Sequence, residues 1–518
     1  MTYAAAKSRR SHSRSTRSLA ALIGIALVLV LAACTPAGGN SSTGSSEPER
    51  TLSIGATLEP ASMDPWHDTS ASIPQVLLYN VYETLVKVDS TGDVKPLLAQ
   101  AWEVSPDRLT YTFHLNPAAK FASGAPVDAA AVVANIDRLK SDTQLTATLK
   151  AQLAVVAGAS ATDDHQVQIT LSHPSIMWLY DMSSTLGMIL DPSQTGDLST
   201  TSAGSGPYAV QTHVQGDSVV LARNANYWGN QARFDQVTFR YFTDPNAENA
   251  AMLSGDLDII SNLQAPDALS QFSDASQYTT ISGTTNGEVV LGLNHDNKAL
   301  AKLQVRQALT MAINRKDLVD TAWAGQGTLI GTMTVPTDPW YEDLSGLYPY
   351  DPTKAKALLK EAGYGDGELS LRLRVPSVPY AVKSAQFVQS ALRDLGVKVS
   401  VEELDFARWY QEVFTKGDYD MTIVAHVEAR DLGKFADATY YWHYGDAKFA
   451  SLYNAAIEAP TEDQAVSEMK TAARYLADQC AAVWLFALPN LVITKATISG
   501  IPQNAVTLSF DLTTITSR

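Results

Sequence analysis

The stretch of residues 368–425 constrains the fold most, because strand and helix patterns alternate in it. Apolar and polar residues alternate in LSLRLRV and again in VKVSVEE, which is typical of half-buried strands. Between them, Tyr380–Leu395 has helical spacing, and Gly396 follows where a helix commonly ends. A further helix at 407–416 and a strand at Tyr419–Ala425 continue the pattern. It predicts βαβ units, and therefore a parallel sheet with right-handed crossovers.

Further helices are predicted from apolar spacing and capping residues. A segment that starts at Val76 and contains Tyr79 and Tyr82 predicts a helix that runs into a strand. Asp128–Lys140 has apolar residues on one face, and so has Gln304–Asp320. A third helix is predicted to begin with Asp351 as its N-cap, a proline in its first turn, and Gly363 after its end.

The region 205–260 predicts a turn followed by strands and one helix. Gly206 and Pro207 are turn residues, and Ser218–Arg223 alternates as a strand does. The elements predicted after it are a strand at Phe234–Phe242, a helix at Asn246–Leu253 that ends near Gly255, and a short strand at Leu257–Ile260.

The net charge argues against nucleic acid as a partner. The formal charge is −16, and residues 1–33 hold five basic residues and no acidic one, so the rest of the chain has a net charge of −21. Phosphate binding needs clustered Lys and Arg, which an acidic body does not offer. We interpret the acidity as a contribution to solubility. A chain of 518 residues with 45% hydrophobic content is long enough for about two to four domains.

The N-terminus has the pattern of a lipoprotein signal peptide. Basic residues precede the apolar run Leu19–Ala33, whose 15 residues are too few for a membrane-spanning helix of about 20. Small residues then precede Cys34, as in a lipobox. We expect residues 1–33 to be removed and Cys34 to carry a diacylglyceryl lipid with palmitate, since two acyl chains anchor a protein stably. A plain secretory signal with an incidental cysteine is the alternative. Residues 34–50, rich in Gly, Ser and Pro, predict a disordered tether.

Three groups of motifs resemble one protein family. The region 205–260 contains GPY, RNANYWG and SGDLDI in this order. Pro96–Leu115 matches P-x-L-A-x-x-W-x-x-S-x-D-x-x-x-Y-T-F-x-L, and Arg306–Arg315 matches R-x-A-L-x-x-A-I-x-R. In these motifs the chain resembles the extracytoplasmic solute-binding proteins of ABC importers, family 5, whose members bind oligopeptides, dipeptides or, in one branch, nickel. The resemblance extends over nearly all of residues 51–500.

The resemblance implies an α/β, two-lobed periplasmic-binding-protein-like (type II) fold with an additional inserted α+β domain. In this interpretation the ligand is held between two lobes that close on it. The expected domains are lobe I at 51–75, 201–290 and 490–518, the inserted peripheral domain at 76–200, and lobe II at 291–489.

The resemblance also implies a ligand site between the lobes. The stretch 425–444 follows a predicted strand and is dense in aromatic and charged residues. In peptide-binding members, the loop at this place has an aspartate that pairs with the ligand's free amino group, because a cation removed from water needs a carboxylate. Ala429 stands at the aligned position, so we assign the role to Asp431, with a solvent-facing or structural ion pair as the alternative. The predicted ligand-binding residues are Met63, Trp66, His426, Glu428, Arg430, Asp431, Tyr441 and Trp442.

The aromatic run at 440–444 is open to two interpretations, as a wall of the ligand site or as core.

Metal is not predicted as a cofactor: the nine histidines include no pair four residues apart on a helix, and HExxH and CxxC are missing. His426 and His443 share the site segment, so a single ligating histidine stays open. Cys480, with Cys34 lipidated, has no disulfide partner and is expected to be a small buried residue.

We expect a binding protein and not an enzyme. The chain has no G-x-S-x-G elbow, Walker A loop or dinucleotide fingerprint, and no catalytic residue is assigned. The resemblance implies a monomeric lipoprotein on the extracytoplasmic face of the cell membrane, in the periplasm where an outer membrane exists. It would pass a peptide to an ABC permease driven by ATPase subunits. Nickel chelates, sugars and opines are alternative cargoes, and a lipoprotein hydrolase or an adhesin without a transporter are alternatives of other classes.

Overall fold

The structure, a computed structural model, describes residues 50–68, 70–194, 196–199 and 202–518. These residues belong to one unit that spans Glu49–Arg518. The predicted signal peptide, Cys34 and the tether up to residue 49 lie outside the described residues.

Strands are distributed over the whole described chain. In chain order they are β1 Thr51–Ala56, β2 Val86–Val88, β3 Val94–Pro96, β4 Ala99–Val104, β5 Thr110–Leu115, β6 Val156–Asp163, β7 Gln166–Leu171, β8 Tyr208–Val214, β9 Ser218–Arg223, β10 Gln236–Tyr241, β11 Ile259–Ile260, β12 Tyr278–Leu293, β13 Ser370–Pro376, β14 Lys398–Leu404, β15 Met421–His426, β16 Val483–Lys495, β17 Ile498–Ser499 and β18 Thr516–Ser517.

Helices lie between the strands. The α-helices are α1 Ser72–Leu77, α2 Ala129–Ser141, α3 Ala147–Leu153, α4 Trp178–Asp181, α5 Pro245–Ser254, α6 Leu303–Ala312, α7 Arg315–Ala322, α8 Pro352–Glu361, α9 Pro379–Asp394, α10 Phe406–Trp409, α11 Ala447–Ile457 and α12 Glu462–Asp478. A π-helical turn, Tyr410–Thr415, continues α10, and a 3₁₀ helix, Asp431–Ala436, follows β15.

One mixed sheet connects the two halves of the described chain. Its strand order is β14-β13-β15-β12-β16-β11-β1-β10-β9-β8. β13 and β14 are parallel and are joined by α9, as predicted for residues 368–404. β1 also pairs in parallel with both β10 and β11.

Two long strands run through both halves of this sheet. β12 and β16 are antiparallel and pair from Tyr278 opposite Lys495 to Leu291 opposite Val483. The last residues of β16 pair with β11, whereas the last residues of β12 pair with β15. We call the part around β1 and β8–β11 the first lobe, and the part around β13–β15 the second lobe. Each lobe has its own buried core, which contains Ile54 and Phe239 in the first and Leu373 and Ile423 in the second.

A separate four-stranded sheet forms most of the inserted part of the chain, in the order β4-β5-β7-β6. Tyr111, Phe113 and Leu115 of β5 are buried and alternate with less buried residues, as their pattern predicts. α2 covers the sheet, and its N-cap Asp128 accepts a hydrogen bond from the backbone N–H of Ala131 at 2.8 Å. The domain boundaries expected from the sequence stay a prediction.

Local capping signals predicted several helix ends correctly. The side chain of Asp351 accepts from the backbone N–H of Lys354 at 2.8 Å and so begins α8. Gly363 after α8 has φ of 90°, and so has Gly255 after α5. Both are in the left-handed region that glycine adopts without a Cβ clash.

Two helix predictions are wrong because longer-range packing decides the backbone. The helix predicted from Val76 ends at Leu77, and Tyr79 has a left-handed φ of 65°. This turn buries Tyr79, whose hydroxyl donates to the carbonyl of Ser183 at 2.7 Å. The helix predicted at 304–320 is divided into α6 and α7. Its interior Asn314 caps α7 with its side chain, a role that asparagine favours over a mid-helix position.

Candidate functional site

A cavity of about 460 Å³ lies between the segments around α3 and α4 of the inserted part of the chain and the loop after β15 of the second lobe. Residues 146–155 and 173–185 form one wall, and residues 428–434 with 453–457 form the other. The volume is that of a pocket for a small molecule. We call this cavity and its two walls the cleft.

The two walls of the cleft touch one another directly. The guanidinium of Arg108 donates to the carbonyl of Ala459 at 2.7 Å, and the backbone N–H of Ile176 donates to Ile457 at 3.1 Å. Arg430 donates from the opposite side to the carbonyl of Gly92 at 3.3 Å. These contacts join the two sides of the cleft.

Asp431 lines the cleft with an unpaired carboxyl group. It starts the 3₁₀ helix after β15, it is 7% exposed, and neither carboxyl oxygen has a hydrogen-bond partner among the described residues. Burial, and next the charge of Glu428, raise the pKa of Asp431 well above its usual value. Burying a carboxylate without a partner is costly, so this position is unfavourable until a donor or cation arrives.

His426 does not neutralise Asp431. Its Nδ1 lies 3.7 Å from Asp431 Oδ2, too far for a hydrogen bond, while its Nε2 is 3.1 Å from the hydroxyl of Tyr441. Burial lowers the pKa of His426 to about 3, so the ring is neutral at physiological pH.

A second buried carboxyl group, that of Glu288, lies behind Asp431. Glu288 is on β12, opposite His426 in the strand pairing, and its Oε2 has no partner among the described residues. Burial, followed by Asp431 and then Asp338, raises its pKa well above the usual value. Asp338 is also buried and accepts from the backbone N–H of Val335 at 3.0 Å.

The cations of the cleft are engaged with other groups. The Arg430 guanidinium lies 3.8 Å from the ring centroid of Tyr180 and 5.4 Å from that of Trp340. Its backbone is left-handed, with φ of 59°, which directs the residue away from the course of the following helix. Lys434 forms an ion pair with Glu428 at 3.1 Å.

Asp181 lines the wall opposite Asp431. It ends α4, and Gln152 donates to its Oδ1 at 3.0 Å. Burial raises the pKa of Asp181 to about 7, although Arg430 and Lys434 lower it in part. The cleft therefore has an acidic group on each wall.

The structure brings only some of the predicted site residues together. Glu428, Arg430 and Asp431 line the cavity. Met63 and Trp66 are 1% and 0% exposed in a buried core and do not line the cavity, although the carbonyl of Trp66 accepts from the backbone N–H of Thr146, in the cavity wall, at 3.3 Å. Their ligand role stays a prediction.

The aromatic run packs behind the cleft. Trp442 stacks on Phe435 with ring centroids 3.9 Å apart, and Tyr441 is 3% exposed. Together with His426 these rings form a rigid support for Asp431, which corresponds to the core alternative for the run. Cys480 is buried, and among the described residues it is a free cysteine.

Sequence reasoning missed Asp181 and Glu288. Asp181 interrupts the apolar stretch IMWLYDM, and Glu288 precedes the buried strand residues VVLGL. A lone acidic residue inside an apolar stretch was the available signal, since a charge is seldom buried without a reason.

No group of three or more His, Cys, Asp or Glu side chains in the described part of the chain is arranged to hold a metal ion. The same residues contain no helix that is both long and apolar enough to cross a membrane.

The fold and the cleft define a binding protein of the two-lobed type II periplasmic class. The ABC transporter-associated periplasmic binding protein DppA of Helicobacter pylori, solved in complex with the peptide STSA, has this fold. It superposes with a TM-score of 0.79 at 21% identity and covers 90% of this chain and 98% of its own.

Within this class the chain belongs to the family 5 solute-binding proteins of ABC importers. Residues 93–449 match the family described as bacterial extracellular solute-binding proteins, family 5 middle. The glutathione-binding protein GsiB of Salmonella paratyphi A is 30% identical over 361 residues, which are 69% of this chain and 70% of that relative. The nickel-binding periplasmic protein of Escherichia coli is 32% identical over 344 residues, 62% of this chain and 65% of the relative. The family and fold predicted from the motifs are confirmed.

Proposed function

We propose that this chain is the substrate-binding lipoprotein of an ABC importer, which captures di- or oligopeptides between its lobes and delivers them to the membrane permease. The observation that carries the proposal is Asp431, a buried carboxyl group without a hydrogen-bond partner among the described residues that lines the cleft. The free amino group of a peptide would supply the missing cation and hydrogen-bond donors.

The relatives support peptide as the cargo. Glutathione, which names one relative, is itself a small peptide, and DppA was solved with a tetrapeptide. In the proposed complex, Asp431 binds the amino group, Glu428 and Arg430 contact the rest of the ligand, and His426, Tyr441 and Trp442 hold Asp431 in place. A nickel chelate, a sugar or an opine in the same cleft is the alternative cargo.

Hinge closure is the proposed mechanism. β12 and β16 connect the lobes, so bending of these strands would open the cleft. A ligand that bridges both walls favours the closed form in proportion to its preference for that form. The expected domain boundaries follow from this idea, with 76–200 and 291–489 supplying the two walls.

Anchoring completes the proposal. Removal of residues 1–33 and lipidation of Cys34 would leave the protein attached to the extracytoplasmic face of the membrane by the tether 34–50. A monomer would then diffuse near its permease and its ATPase subunits. We infer no catalytic activity for it.

The decisive experiment is native mass spectrometry of the full chain purified in mild detergent, which identifies co-purified ligand. Peptide masses are expected. Thermal unfolding with a defined peptide mixture should then show a higher Tm, and chromatography should recover the mixture chemically unchanged. Cleaved peptides would instead identify a hydrolase, and a co-purified metal chelate, sugar or opine would overturn peptide as the cargo.

A further inference from the structure

The carboxyl groups of the cleft outnumber its cations. Asp181 and Asp431 face the cavity from opposite walls, and Glu428 lies at its edge. Glu288 and Asp338 lie behind Asp431, whose charge affects the pKa of both Glu288 and Tyr453. Asp68 also lines the cavity, so its described lining has four carboxyl groups against two lysine or arginine side chains, Arg430 and Lys434, and the imidazole of His173.

Neither cation pairs with Asp181 or Asp431. Arg430 is stacked on the ring of Tyr180 and donates to a backbone carbonyl, and Lys434 is 3.1 Å from Glu428. Among the described residues, the one hydrogen bond that Asp181 accepts with its carboxyl group comes from Gln152. Two acidic groups therefore lack a direct ion pair with a lysine or arginine in the described part of the chain, although the charges of Arg430 and Lys434 lower the pKa of Asp181 in part.

The two groups line one cavity. Asp181 and Asp431 both lie around the same volume of about 460 Å³, together with Tyr453, Glu428 and Lys434. They belong to one site with a carboxyl group on each wall.

We propose that the cleft selects cargo with two cationic groups, namely a peptide whose free amino group binds Asp431 and whose lysine or arginine side chain binds Asp181. This inference rests on the proposed function and names the substrate class within it. A ligand with one cation leaves Asp181 unpaired. A ligand with a second cation contacts both walls and therefore stabilises the closed conformation further. An acidic side chain at the same place would be repelled.

Calorimetric titration of the full chain in detergent tests the inference. The probes are Ala-Ala-Ala, the three tripeptides in which one alanine is replaced by lysine, and Ala-Glu-Ala. We expect at least one lysine peptide to bind about tenfold or more tighter than Ala-Ala-Ala, and Ala-Glu-Ala to bind more weakly. Binding should release protons, because an arriving cation lowers the raised pKa values of Asp181 and Asp431; titration in two buffers of different ionisation enthalpy measures this release.

Variants separate the two carboxyl groups. Asp181→Asn should abolish the lysine preference, so that the lysine tripeptides bind this variant no tighter than Ala-Ala-Ala does. Asp181→Glu should keep part of the preference. Glu103→Gln changes an acidic residue that is 80% exposed on the same inserted part of the chain, and should change neither affinity.

The outcomes distinguish this inference from the proposed function. Equal affinity for alanine and lysine tripeptides, or a preference that persists in Asp181→Asn, overturns the inference and leaves the peptide-binding function intact. Failure of every peptide to bind overturns both. Circular dichroism of each variant shows whether it is folded. In the wild-type chain a lysine tripeptide should release more protons than Ala-Ala-Ala, and equal proton release by both peptides also overturns the inference.

Discussion

Glu83 in the first lobe and Asp431 in the cleft are both buried carboxyl groups, but their surroundings are opposite. Glu83 accepts hydrogen bonds from Ser205 Oγ at 2.7 Å, Tyr227 OH at 2.7 Å and Trp228 Nε1 at 2.8 Å. Asp431 has no such donor among the described residues. A buried acid whose donors are all supplied by the protein holds the fold together, whereas a buried acid without donors that also lines a cavity is available to a ligand.

The hydrogen-bond donors of Glu83 also connect two of the sequence motifs, the GPY turn and the YWG turn. Ser205 precedes the GPY turn, and Tyr227 and Trp228 belong to the YWG turn. Burial raises the pKa of Glu83 to about 7, and its three hydrogen bonds limit that rise. This one side chain connects three segments of the first lobe.

The largest effect is expected from Glu83→Ala. The substitution leaves three donors without an acceptor in the core and should lower the free energy of unfolding by roughly 3–5 kcal/mol. Urea denaturation of the full chain in detergent measures this change. If this variant were as stable as the wild type, Glu83 would not have the structural role that we assign to it.

Asp431→Asn should act on binding and not on stability. Loss of the carboxylate that pairs with the amino group should weaken peptide affinity about 100-fold, which is about 2.7 kcal/mol. The free energy of unfolding should be unchanged or higher, because an unpaired buried acid is removed. If Asp431→Asn instead lost as much stability as Glu83→Ala, Asp431 would be a structural residue like Glu83, and the two carboxyl groups would not differ in role.

The stability of the folded protein should also depend on pH through Asp181, which lies on the cleft wall opposite Asp431. Asp181 has a folded pKa of about 7 against an ordinary value of 3.8, so the folded form keeps its proton while the unfolded chain loses it. Stability should therefore fall as pH rises from about 4 to 7 and level off above that.

Denaturation at pH 5 and pH 7 measures this contribution. The decrease should be smaller in Asp181→Asn than in the wild type by about 2 kcal/mol at most. Saturating ligand with two cations should reduce the decrease as well, and an identical decrease in both proteins would contradict the assigned pKa.

Tyr227→Phe should have the smallest effect. It removes one of the three donors to Glu83 and keeps the ring, so the free energy of unfolding should fall by about 1 kcal/mol. Peptide affinity should not change, because Tyr227 belongs to the first lobe and not to the cleft. Calorimetry and denaturation on the same preparation test both statements.

Much of the local structure could be predicted because its causes lie within a few residues. The alternation in β13 and β14, the caps Asp128 and Asp351, and the glycine after α8 are short-range signals, and the structure has each of them. The loop after β15 was also predicted as part of the site, since the family motifs place it there.

The rest of the site depended on contacts across long stretches of chain. Met63 and Trp66 are near the first strand in sequence, but packing places them in the core. Asp181 and Asp431 are 250 positions apart in the numbering and line one cavity only because the inserted part of the chain packs against the second lobe. The periodicity of apolar residues along the chain contains no information on which distant residues come together in the fold.

By itself, the sequence determined the family, the order of the elements and the acidic character of the chain, because these follow from composition, short-range pattern and motif wording. Only the tertiary structure decided which buried acids have donors and which do not. That difference arises from side chains brought together by folding, since the free energy of a buried charge depends on every group around it, however far away along the chain.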